Sequence, residues 1–265
     1  MPDKIRIAAF HQMKAEGRKI VGITAYDYAM GRIADEAGVD FIHVGDSVAN
    51  LLGYEDEIPV TLQDMIHHAA AVRRGVKRAL LMADMPFMTF KVSPDDTLRN
   101  AARLIQEAGV EAVKLEGGRE ICPQVSKLVH AGIPVMGHIG VQPQSVHAQS
   151  GFLAKGKTED EAGRLLADAL ALEEAGCFAI VLEVVKRDCA AKITRALRIP
   201  TIGVGSGVDC DGQIMVVLEV IGLSFRAKPR VSKHYAEVGD SMRDAISRYA
   251  TEVREGAYPD HEHSY

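Results

Sequence analysis

One pattern of apolar and polar residues recurs along the chain. In four places a helical segment ends in Ala-Gly, and a continuous apolar run follows at once. Glycine accepts the left-handed conformation that ends a helix, and an uninterrupted apolar run is typical of a parallel strand covered on both faces. The four units occupy residues 36–46, 107–118, 130–140 and 174–185, with glycines at Gly38, Gly109, Gly132 and Gly176. Repeated helix–glycine–strand units predict right-handed β-α-β crossovers.

Further apolar runs complete a set of eight predicted strands. They cover residues 20–25, 41–45, 79–83, 111–116, 133–138, 178–184, 200–204 and 214–218. Amphipathic segments separate most of them, and Thr61 and Ser93 stand where helix N-caps are expected. Eight strands within about 200–250 residues indicate an α/β fold, namely a TIM (β/α)8 barrel. We expect residues 1–265 to form one catalytic domain of this kind. An open, doubly wound sheet is the alternative.

The composition excludes several classes of protein. The chain has 265 residues, of which 47% are hydrophobic, and a net charge of −5, so we expect no binding to nucleic acid or to an anionic membrane. No apolar run approaches the roughly 18 residues of a membrane span, and the first residues lack a signal-peptide pattern. We therefore expect a cytoplasmic protein. The four cysteines show no CxxC spacing and are expected to be reduced thiols (Cys122, Cys177, Cys189 and Cys210).

Polar residues stand at the carboxyl ends of the predicted strands. Catalytic groups of barrel enzymes lie at that end. Lys114 and Glu116 are two positions apart in one strand, so alternation directs both side chains to the same side. The full set is Asp46, Ser47, Asp84, Lys114, Glu116, His138 and Glu183. Five strands are therefore expected to bring ionisable groups into one small volume.

The residue types in this set favour a hard metal ion. Carboxylates without cysteine or paired histidine are typical ligands of Mg²⁺. Asp46 and Asp84 are the first candidates, with Glu116 as a third that binds directly or through water. A 2-oxo acid could chelate this metal while Lys114 balances its charge. The metal would then stabilise the enolate formed when a base removes the proton beside the carbonyl.

Two further residues of the set are candidates for proton transfer. Glu183 lies on another strand and is a candidate for the base, and His138 could act as acid, base or orienting group. Structural alternatives exist throughout the set. They are a helix cap at Asp46–Ser47, a buried and partnered Asp84, a Lys114–Glu116 ion pair, a core His138, and a pairing of Glu183 with Lys186 or Arg187. All five structural roles would have to occur together at one end of one barrel. The sequence therefore favours a shared functional site.

Three other features carry weaker signals. The glycine-rich segment 203–207 (GVGSG) lacks the spacing of a dinucleotide site and is interpreted as a barrel loop that permits close approach of the chain. His67 and His68 are adjacent on a predicted helix and face different directions, so they form a poor metal pair. The longest irregular stretch, 140–158, is expected to be functional or mobile.

Motifs in order along nearly the whole chain resemble the ketopantoate hydroxymethyltransferase family. They include TAYDY at 24–28, VGDS at 44–47, PVTL at 59–62, LMADMPFM at 81–88, VKLEGG at 113–118, GHIGVQPQSV at 137–146, VLEVV at 181–185, IPTIGVGSG at 199–207 and DGQIMV at 211–216. The number of motifs and their family-like spacing make the resemblance specific.

The resemblance implies a TIM barrel that transfers a hydroxymethyl group from 5,10-methylenetetrahydrofolate to 3-methyl-2-oxobutanoate and gives 2-dehydropantoate, in pantothenate biosynthesis. It implies a cytoplasmic homo-oligomer, often a decamer. By resemblance, Mg²⁺ is bound by Asp46, Asp84 and Glu116, and the oxo acid is contacted by Asp46, Ser47, Asp84 and Lys114. Glu183 matches the proton acceptor, and His138 matches a site histidine. The Mg²⁺-stabilised enolate would attack the methylene carbon that folate delivers.

The chain departs from the family pattern in three places. Ala49–Asn50 replaces a Gly-Met pair, residues 150–157 (SGFLAKGK) replace a Gly-Gly-aromatic-x-Val-Gln-Gly-Arg loop, and residues 229–233 (PRVSK) replace Pro-Lys-Phe-Val-Lys. The metal and base positions are retained. Enolate chemistry is therefore a stronger inference than the loop contacts to folate, the preferred oxo-acid side chain or the subunit interface.

Two other functions are compatible with these residues. One is a different Mg²⁺-enolate barrel, such as an aldolase or lyase, which would cleave a carbon–carbon bond without folate. The other is a non-catalytic barrel that serves binding or assembly. A base such as Glu183 beside the metal carboxylates argues against the second, because binding alone needs no base.

Overall fold

Eight parallel strands form a closed barrel in the computed structural model, which describes residues 3–149 and 153–265. The strands are β1 (Ile20–Thr24), β2 (Phe41–Val44), β3 (Leu80–Asp84), β4 (Ala112–Glu116), β5 (Val135–Gly140), β6 (Ala179–Glu183), β7 (Thr201–Val204) and β8 (Gly212–Met215). Each strand pairs with its neighbour in sequence, and β8 pairs with β1. The predicted TIM barrel is confirmed, and the open doubly wound sheet is excluded.

Helices follow most strands and return the chain to the start of the next strand. They are α1 (Ile7–Ala15), α2 (Tyr28–Glu36), α3 (Val48–Leu52), α4 (Leu62–Gly75), α5 (Pro94–Ala108), α6 (Cys122–His130), α7 (Val146–Gln149), α8 (Glu159–Glu174), α9 (Arg187–Ala196), α10 (Val217–Val220) and α11 (Val238–Glu255). Short 3-10 turns lie at Arg119–Ile121 and Pro143–Ser145. No helix within the described residues has the length and apolar character needed to cross a membrane.

The predicted helix ends are confirmed at several positions. The Thr61 side chain accepts a hydrogen bond from the Asp64 N–H in a capping box, and Ser93 caps α5 ahead of Pro94 in the first turn. The four glycines of the repeated units all have positive φ, between 70° and 105°. A residue with a Cβ is disfavoured in that conformation, so these glycines set where the preceding helices stop.

The N-terminal helix packs against the amino ends of the strands. Phe10 of α1 lies with its ring centroid 5.6 Å from that of Phe41 and 5.5 Å from that of Phe178. Both partners stand at or just before the first residue of a strand, and all three side chains are buried. Apolar packing therefore fills the amino end of the barrel, which leaves the carboxyl end for polar chemistry.

The last strand begins two residues earlier than predicted. Its apolar run at 214–218 was predicted as a strand, but β8 is Gly212–Met215 and Val217–Val220 is helical. A short apolar run does not by itself distinguish strand from helix. Gly212 is required at the start of β8, because a Cβ there would lie 2.5 Å from the Ile20 carbonyl oxygen.

Contacts within the chain define two compact units. The first ends at Val216 and contains the barrel, and the second runs from Val217 to Tyr265. In the second unit α11 covers residues 238–255 and is followed by a polar tail. The prediction of a single domain over residues 1–265 stays a prediction.

Candidate active site at the carboxyl end of the barrel

The predicted site residues lie on adjacent strands at the carboxyl end of the barrel. Asp84 closes β3 and pairs in register with Lys114, and Glu116 closes β4 and pairs in register with His138. Glu183 is the last residue of β6, next to β5. Asp46 follows β2 after one glycine. Closure of the sheet thus brings these side chains together from five strands or strand ends.

Most of the set is removed from solvent. Asp46, Asp84, Lys114, Glu116 and His138 are all between 1% and 5% exposed, and the Glu183 side chain is 18% exposed. Buried charges are costly unless they are paired or bind a ligand. Surface charges would not need such partners. The burial therefore argues against a solvated face and for a site in which each charge has a defined neighbour.

Asp84 is paired with two basic side chains. Its Oδ1 lies 2.8 Å from Lys114 Nζ and 3.1 Å from His43 Nε2. Its Oδ2 accepts a hydrogen bond of 3.0 Å from the Asp46 backbone N–H. Burial alone would raise the pKa of Asp84, but His43 and Lys114 lower it far below its usual range. Asp84 is therefore ionised in the folded protein.

Lys114 lies among several acidic groups. Burial alone would lower the pKa of its amine, but the charges of Asp84, Glu116 and Asp46 raise that pKa above its ordinary value. Lys114 is thus a cation in this site. Its Nζ is also 2.9 Å from His138 Nδ1, to which it donates. The alternative of a Lys114–Glu116 ion pair is not adopted, since Lys114 contacts Asp84 and His138 instead.

His138 connects this group to Glu183. Its Nε2 is 3.3 Å from Glu183 Oε2, and its Nδ1 is 3.5 Å from Glu116 Oε1. Burial and the Lys114 charge lower the pKa of His138, but Glu116 and Glu183 raise it, so that this pKa lies above the ordinary value of histidine. Because Lys114 donates to Nδ1, the hydrogen of the neutral ring lies on Nε2, which is 3.3 Å from Glu183 Oε2 but is not aligned with it for a hydrogen bond. The suggested pairing of Glu183 with Arg187 is not adopted, since Arg187 pairs with Asp209.

Asp46 carries the least compensated charge. Burial raises the pKa of Asp46, and the neighbouring charges of Asp84 and Glu116 raise it further, well above its ordinary value. Three buried carboxylates thus share this volume with one lysine. Such an excess of negative charge is stabilised by a cation.

The donor set fits a hard divalent cation. Glu116 Oε1 is buried and has no hydrogen-bond partner in the described part of the chain. No three side chains of His, Cys, Asp or Glu among residues 3–149 and 153–265 are close enough to hold a metal by themselves. A cation here would therefore use part of the carboxylate set and take its other ligands from water or substrate, which is the usual arrangement for Mg²⁺.

Ser47 lies next to the carboxylates and belongs to a chain of hydroxyl groups. Its Oγ is 2.8 Å from Tyr26 Oη, and Thr24 Oγ1 donates to the same Tyr26 oxygen over 2.9 Å. Ser47 precedes α3 but its side chain makes no capping hydrogen bond. The helix-cap alternative for this serine is therefore wrong, and its hydroxyl contacts the buried Tyr26 instead.

Three residues of the site were not predicted. His43 stands within the apolar run of β2, and a lone histidine there was a signal that strand alternation could have used. Tyr26 and Gln144 lie within the motifs at 24–28 and 137–146, but no role was predicted for either; Gln144 belongs to the irregular stretch after β5. The Gln144 side chain donates to Asp46 Oδ2 over 2.7 Å. No local pattern indicates such a contact, because it joins positions 98 residues apart.

The glycine-rich segment 203–207 supports the end of β6. Ser206 is fully buried, its Oγ donates to the Leu182 carbonyl over 2.6 Å, and it accepts from the Val185 N–H over 2.9 Å. The segment therefore packs tightly against the chain around Glu183, as the close-approach interpretation predicts. Of the altered loop 150–157, residues 150–152 lie outside the described residues. Lys155 pairs through its backbone with Val184 and Lys186.

The cysteines are not candidates for nucleophiles. All four are free thiols, and Cys177, Cys189 and Cys210 are buried. Burial raises the pKa of each of these three thiols. None of these three thiols is bonded to another cysteine, as the prediction of reduced thiols requires.

Comparison with known proteins identifies relatives over almost the full length. The family model of ketopantoate hydroxymethyltransferase matches residues 4–261. A 3-methyl-2-oxobutanoate hydroxymethyltransferase of Carboxydothermus hydrogenoformans is 50% identical over 264 residues, covering 99% of this chain and 96% of the relative. The enzyme of the same name from Syntrophus aciditrophicus is 48% identical, covering 99% of this chain and 97% of the relative.

Solved structures share the fold at low sequence identity. Phosphoenolpyruvate phosphomutase from Streptomyces platensis subsp. rosaceus has a TM-score of 0.62 at 16% identity, covering 94% of this chain and 88% of that chain. A 2,3-dimethylmalate lyase of the PEP mutase/isocitrate lyase superfamily has a TM-score of 0.58 at 15% identity, covering 98% and 91%. At such identities the likeness concerns the barrel fold alone.

Proposed function

Since the chain belongs to the ketopantoate hydroxymethyltransferase family, we propose that it transfers a hydroxymethyl group from 5,10-methylenetetrahydrofolate to 3-methyl-2-oxobutanoate, giving 2-dehydropantoate. In this reaction the C3–H bond of the oxo acid breaks and C3 bonds to the methylene carbon. Water supplies the hydroxyl oxygen, and tetrahydrofolate leaves. The observation that carries the proposal is the contact of Glu183, through His138, with the buried Lys114 and with the carboxylates of Glu116 and Asp84.

We assign the base to Glu183. It stands at the end of β6 and is the most exposed ionisable member of the set, so a substrate can reach it. His138 lies 3.3 Å from its Oε2 and would fix the orientation of the carboxylate. A carboxylate held in this way can accept the C3 proton; this proton and one from water end on the two nitrogens of the folate that lose the methylene group.

The remaining polar residues would bind and orient the oxo acid. Lys114 is held as a cation by Asp84 and offsets the substrate carboxylate, and Ser47 offers a hydroxyl that Tyr26 orients. Mg²⁺ would take its protein ligands from among Asp46, Asp84 and Glu116 and its remaining ligands from water or substrate. When bound, that ion would supply positive charge that stabilises the negative charge released at C3. The apolar packing at the other end of the barrel keeps water from entering there.

Cytoplasmic location and assembly as a homo-oligomer, with a decamer as the expected form, belong to the same proposal. They follow from family membership. Small-molecule substrates belong to the same proposal and suit a site made of buried polar side chains at the strand ends.

Substitution of the base tests the proposed function. We expect Glu183→Gln to lower kcat by about 10²–10⁴-fold, the usual contribution of a general base, with little change in affinity for the oxo acid. The matched control is Glu174→Gln, which makes the same change on the exposed face of α8 and should leave kcat unchanged. Product formation from methylenetetrahydrofolate measures the effect. A binding protein without catalysis would retain its ligand and show no turnover in either form, and a lyase would turn over without folate.

A further inference from the structure

Gln144 joins three of the strand ends that build the site. It lies in the 3-10 turn Pro143–Ser145, which follows β5, and it is 2% exposed. Its side-chain Nε2 donates to Asp46 Oδ2 over 2.7 Å and to the Met85 carbonyl oxygen over 2.9 Å. Its backbone N–H donates to Glu116 Oε2 over 3.1 Å. One residue therefore contacts the segments that follow β2 and β3 and the end of β4.

Gln144 hydrogen-bonds only one of the two carboxylate oxygens in Asp46 and in Glu116. Gln144 holds Oδ2 of Asp46 and Oε2 of Glu116, and Glu116 Oε1 has no hydrogen-bond partner among the described residues. A carboxylate held through one oxygen has a fixed rotation about its last bond. The other oxygen then points in one direction, which pre-organises it for a ligand.

The orientation of the Gln144 amide is also fixed. Both hydrogens of Nε2 are used, one on a carboxylate and one on a backbone carbonyl. If the amide were flipped, its oxygen would face these two oxygen acceptors and be repelled by them. Oε1 is consequently directed elsewhere. It is buried and has no partner in the described part of the chain. A buried carbonyl oxygen without a donor is costly, so a donor from bound water or substrate would satisfy it.

We propose that Gln144 is a positioning residue that sets the rotations of Asp46 and Glu116 for binding a divalent cation, an inference that rests on the proposed function of these carboxylates. It acts through the two acids and not on the reacting atoms. Outer partners of metal ligands of this kind typically change metal affinity by about 10–100-fold when removed. A residue that only packs the loop after β5 would not change metal affinity in this selective way.

The test is the affinity of the full-length protein for Mn²⁺, used as a spectroscopic probe of the Mg²⁺ site and measured by electron paramagnetic resonance without substrate. Gln144→Met keeps the length of the side chain and removes its polar atoms. We expect the dissociation constant for Mn²⁺ to rise at least about tenfold. Excess Mg²⁺ should restore kcat to within about threefold of the parent, because a weakened site is refilled by mass action.

Asn100 provides the matched control. Its Nδ2 bridges a carboxylate and a backbone carbonyl in the same way, with Asp96 Oδ2 at 3.2 Å and the Thr89 oxygen at 2.7 Å, but on α5. Asn100→Leu should lower thermal stability and leave Mn²⁺ affinity within about twofold, since no proposed metal ligand is touched. Gln144→Asn, which is too short to reach both acceptors, serves as a second variant if Gln144→Met does not fold.

The outcomes separate the inference from the proposed function. A parent protein that binds no Mn²⁺ would overturn both. A parent that binds Mn²⁺ together with Gln144 variants of unchanged affinity would overturn the role of Gln144 and leave the proposed function intact. The role of Gln144 would be established if its variants bind Mn²⁺ more weakly and regain kcat in excess Mg²⁺, while Asn100→Leu binds Mn²⁺ as the parent does.

Discussion

The residue after Glu183 has an uncommon backbone conformation. Val184 has φ +49°, in the left-handed region that a β-branched residue seldom occupies. This conformation costs about 1–2 kcal/mol relative to the right-handed region. The neighbours hold it in place, since Val184 N–H donates to the Val204 oxygen over 2.7 Å and Ser206 bridges Leu182 and Val185. The turn redirects the chain directly after the proposed base.

Removal of the Ser206 hydroxyl tests this support. We expect Ser206→Ala to lower the free energy of unfolding by about 1–3 kcal/mol, because the buried Val185 N–H would lose its acceptor. Urea denaturation measures the change. Ser247→Ala, at an exposed position of α11, should stay within about 0.5 kcal/mol. Equal stability of the two variants would show that the bridge contributes nothing to the turn.

At the scale of single residues, the ionisable groups of the site could be predicted from the sequence, but the side chains that contact them could not. Asp46, Asp84, Lys114, Glu116, His138 and Glu183 could be found because strand ends in a barrel share one location. Gln144 and Tyr26 could not, because their contacts depend on how loops fold back over the strand ends. His43 was missed because its strand was treated as uniformly apolar.

Asp35 ties the last turn of α2 to the segment that leads into β3. Its carboxylate accepts hydrogen bonds from the backbone N–H groups of residues 77, 78 and 79, at distances from 2.7 to 3.1 Å. Burial raises the pKa of Asp35, but these three donors lower it, with a net value below 3.8. The ionised form therefore stabilises this connection between a helix and the following strand.

The sign of the pH effect follows from that pKa. A carboxyl with a lowered folded pKa adds stability above its unfolded pKa, and the contribution disappears as pH falls through the folded value. We expect Asp35→Asn to lower the free energy of unfolding by about 1 kcal/mol at pH 7, and the difference from the parent to shrink towards pH 3. Urea denaturation at the two pH values measures it. Glu36→Gln, at the exposed neighbouring position, should show little change in the free energy of unfolding at either pH. If Asp35→Asn lost the same stability at both pH values, the charge-based explanation would be contradicted.

The elements themselves were largely predictable. Seven strands both start and end within two residues of their predicted bounds, because Ala-Gly helix ends and continuous apolar runs mark them. The eighth was shifted because the apolar run 214–218 continues past the strand into a short helix. Its true start at Gly212 is set by the close approach of Ile20, which is 192 positions away in the sequence and gives no local signal.

Closure of the barrel is the property of the whole molecule that creates the site. The pairing of β1 with β8, which aligns Ile20 with Gly212, completes the ring. Counting strands predicted this closure, but the registers that set Asp84 beside Lys114 and Glu116 beside His138 appear only in the folded chain. The position of an ionisable residue along a strand was predictable, and its exact neighbour was not.

Assembly is a prediction at the same scale. We expect the purified protein to form a homo-decamer, as family membership implies, with a mass in solution ten times that of one chain. Size-exclusion chromatography with light scattering measures this mass. A monomer at micromolar concentration would contradict the proposed assembly and would leave the barrel and its site unaffected.

The most direct test of the central claim follows the C3 proton of 3-methyl-2-oxobutanoate by NMR in D₂O, first with the protein and Mg²⁺ and then with methylenetetrahydrofolate added. We predict that the C3–H signal disappears only when Mg²⁺ is present, and that a hydroxymethyl resonance appears once the folate is added. Loss of the C3–H signal without a hydroxymethyl resonance would support proton abstraction and contradict the folate as donor. Neither exchange nor transfer by folded, Mg²⁺-saturated protein would contradict the proposed function.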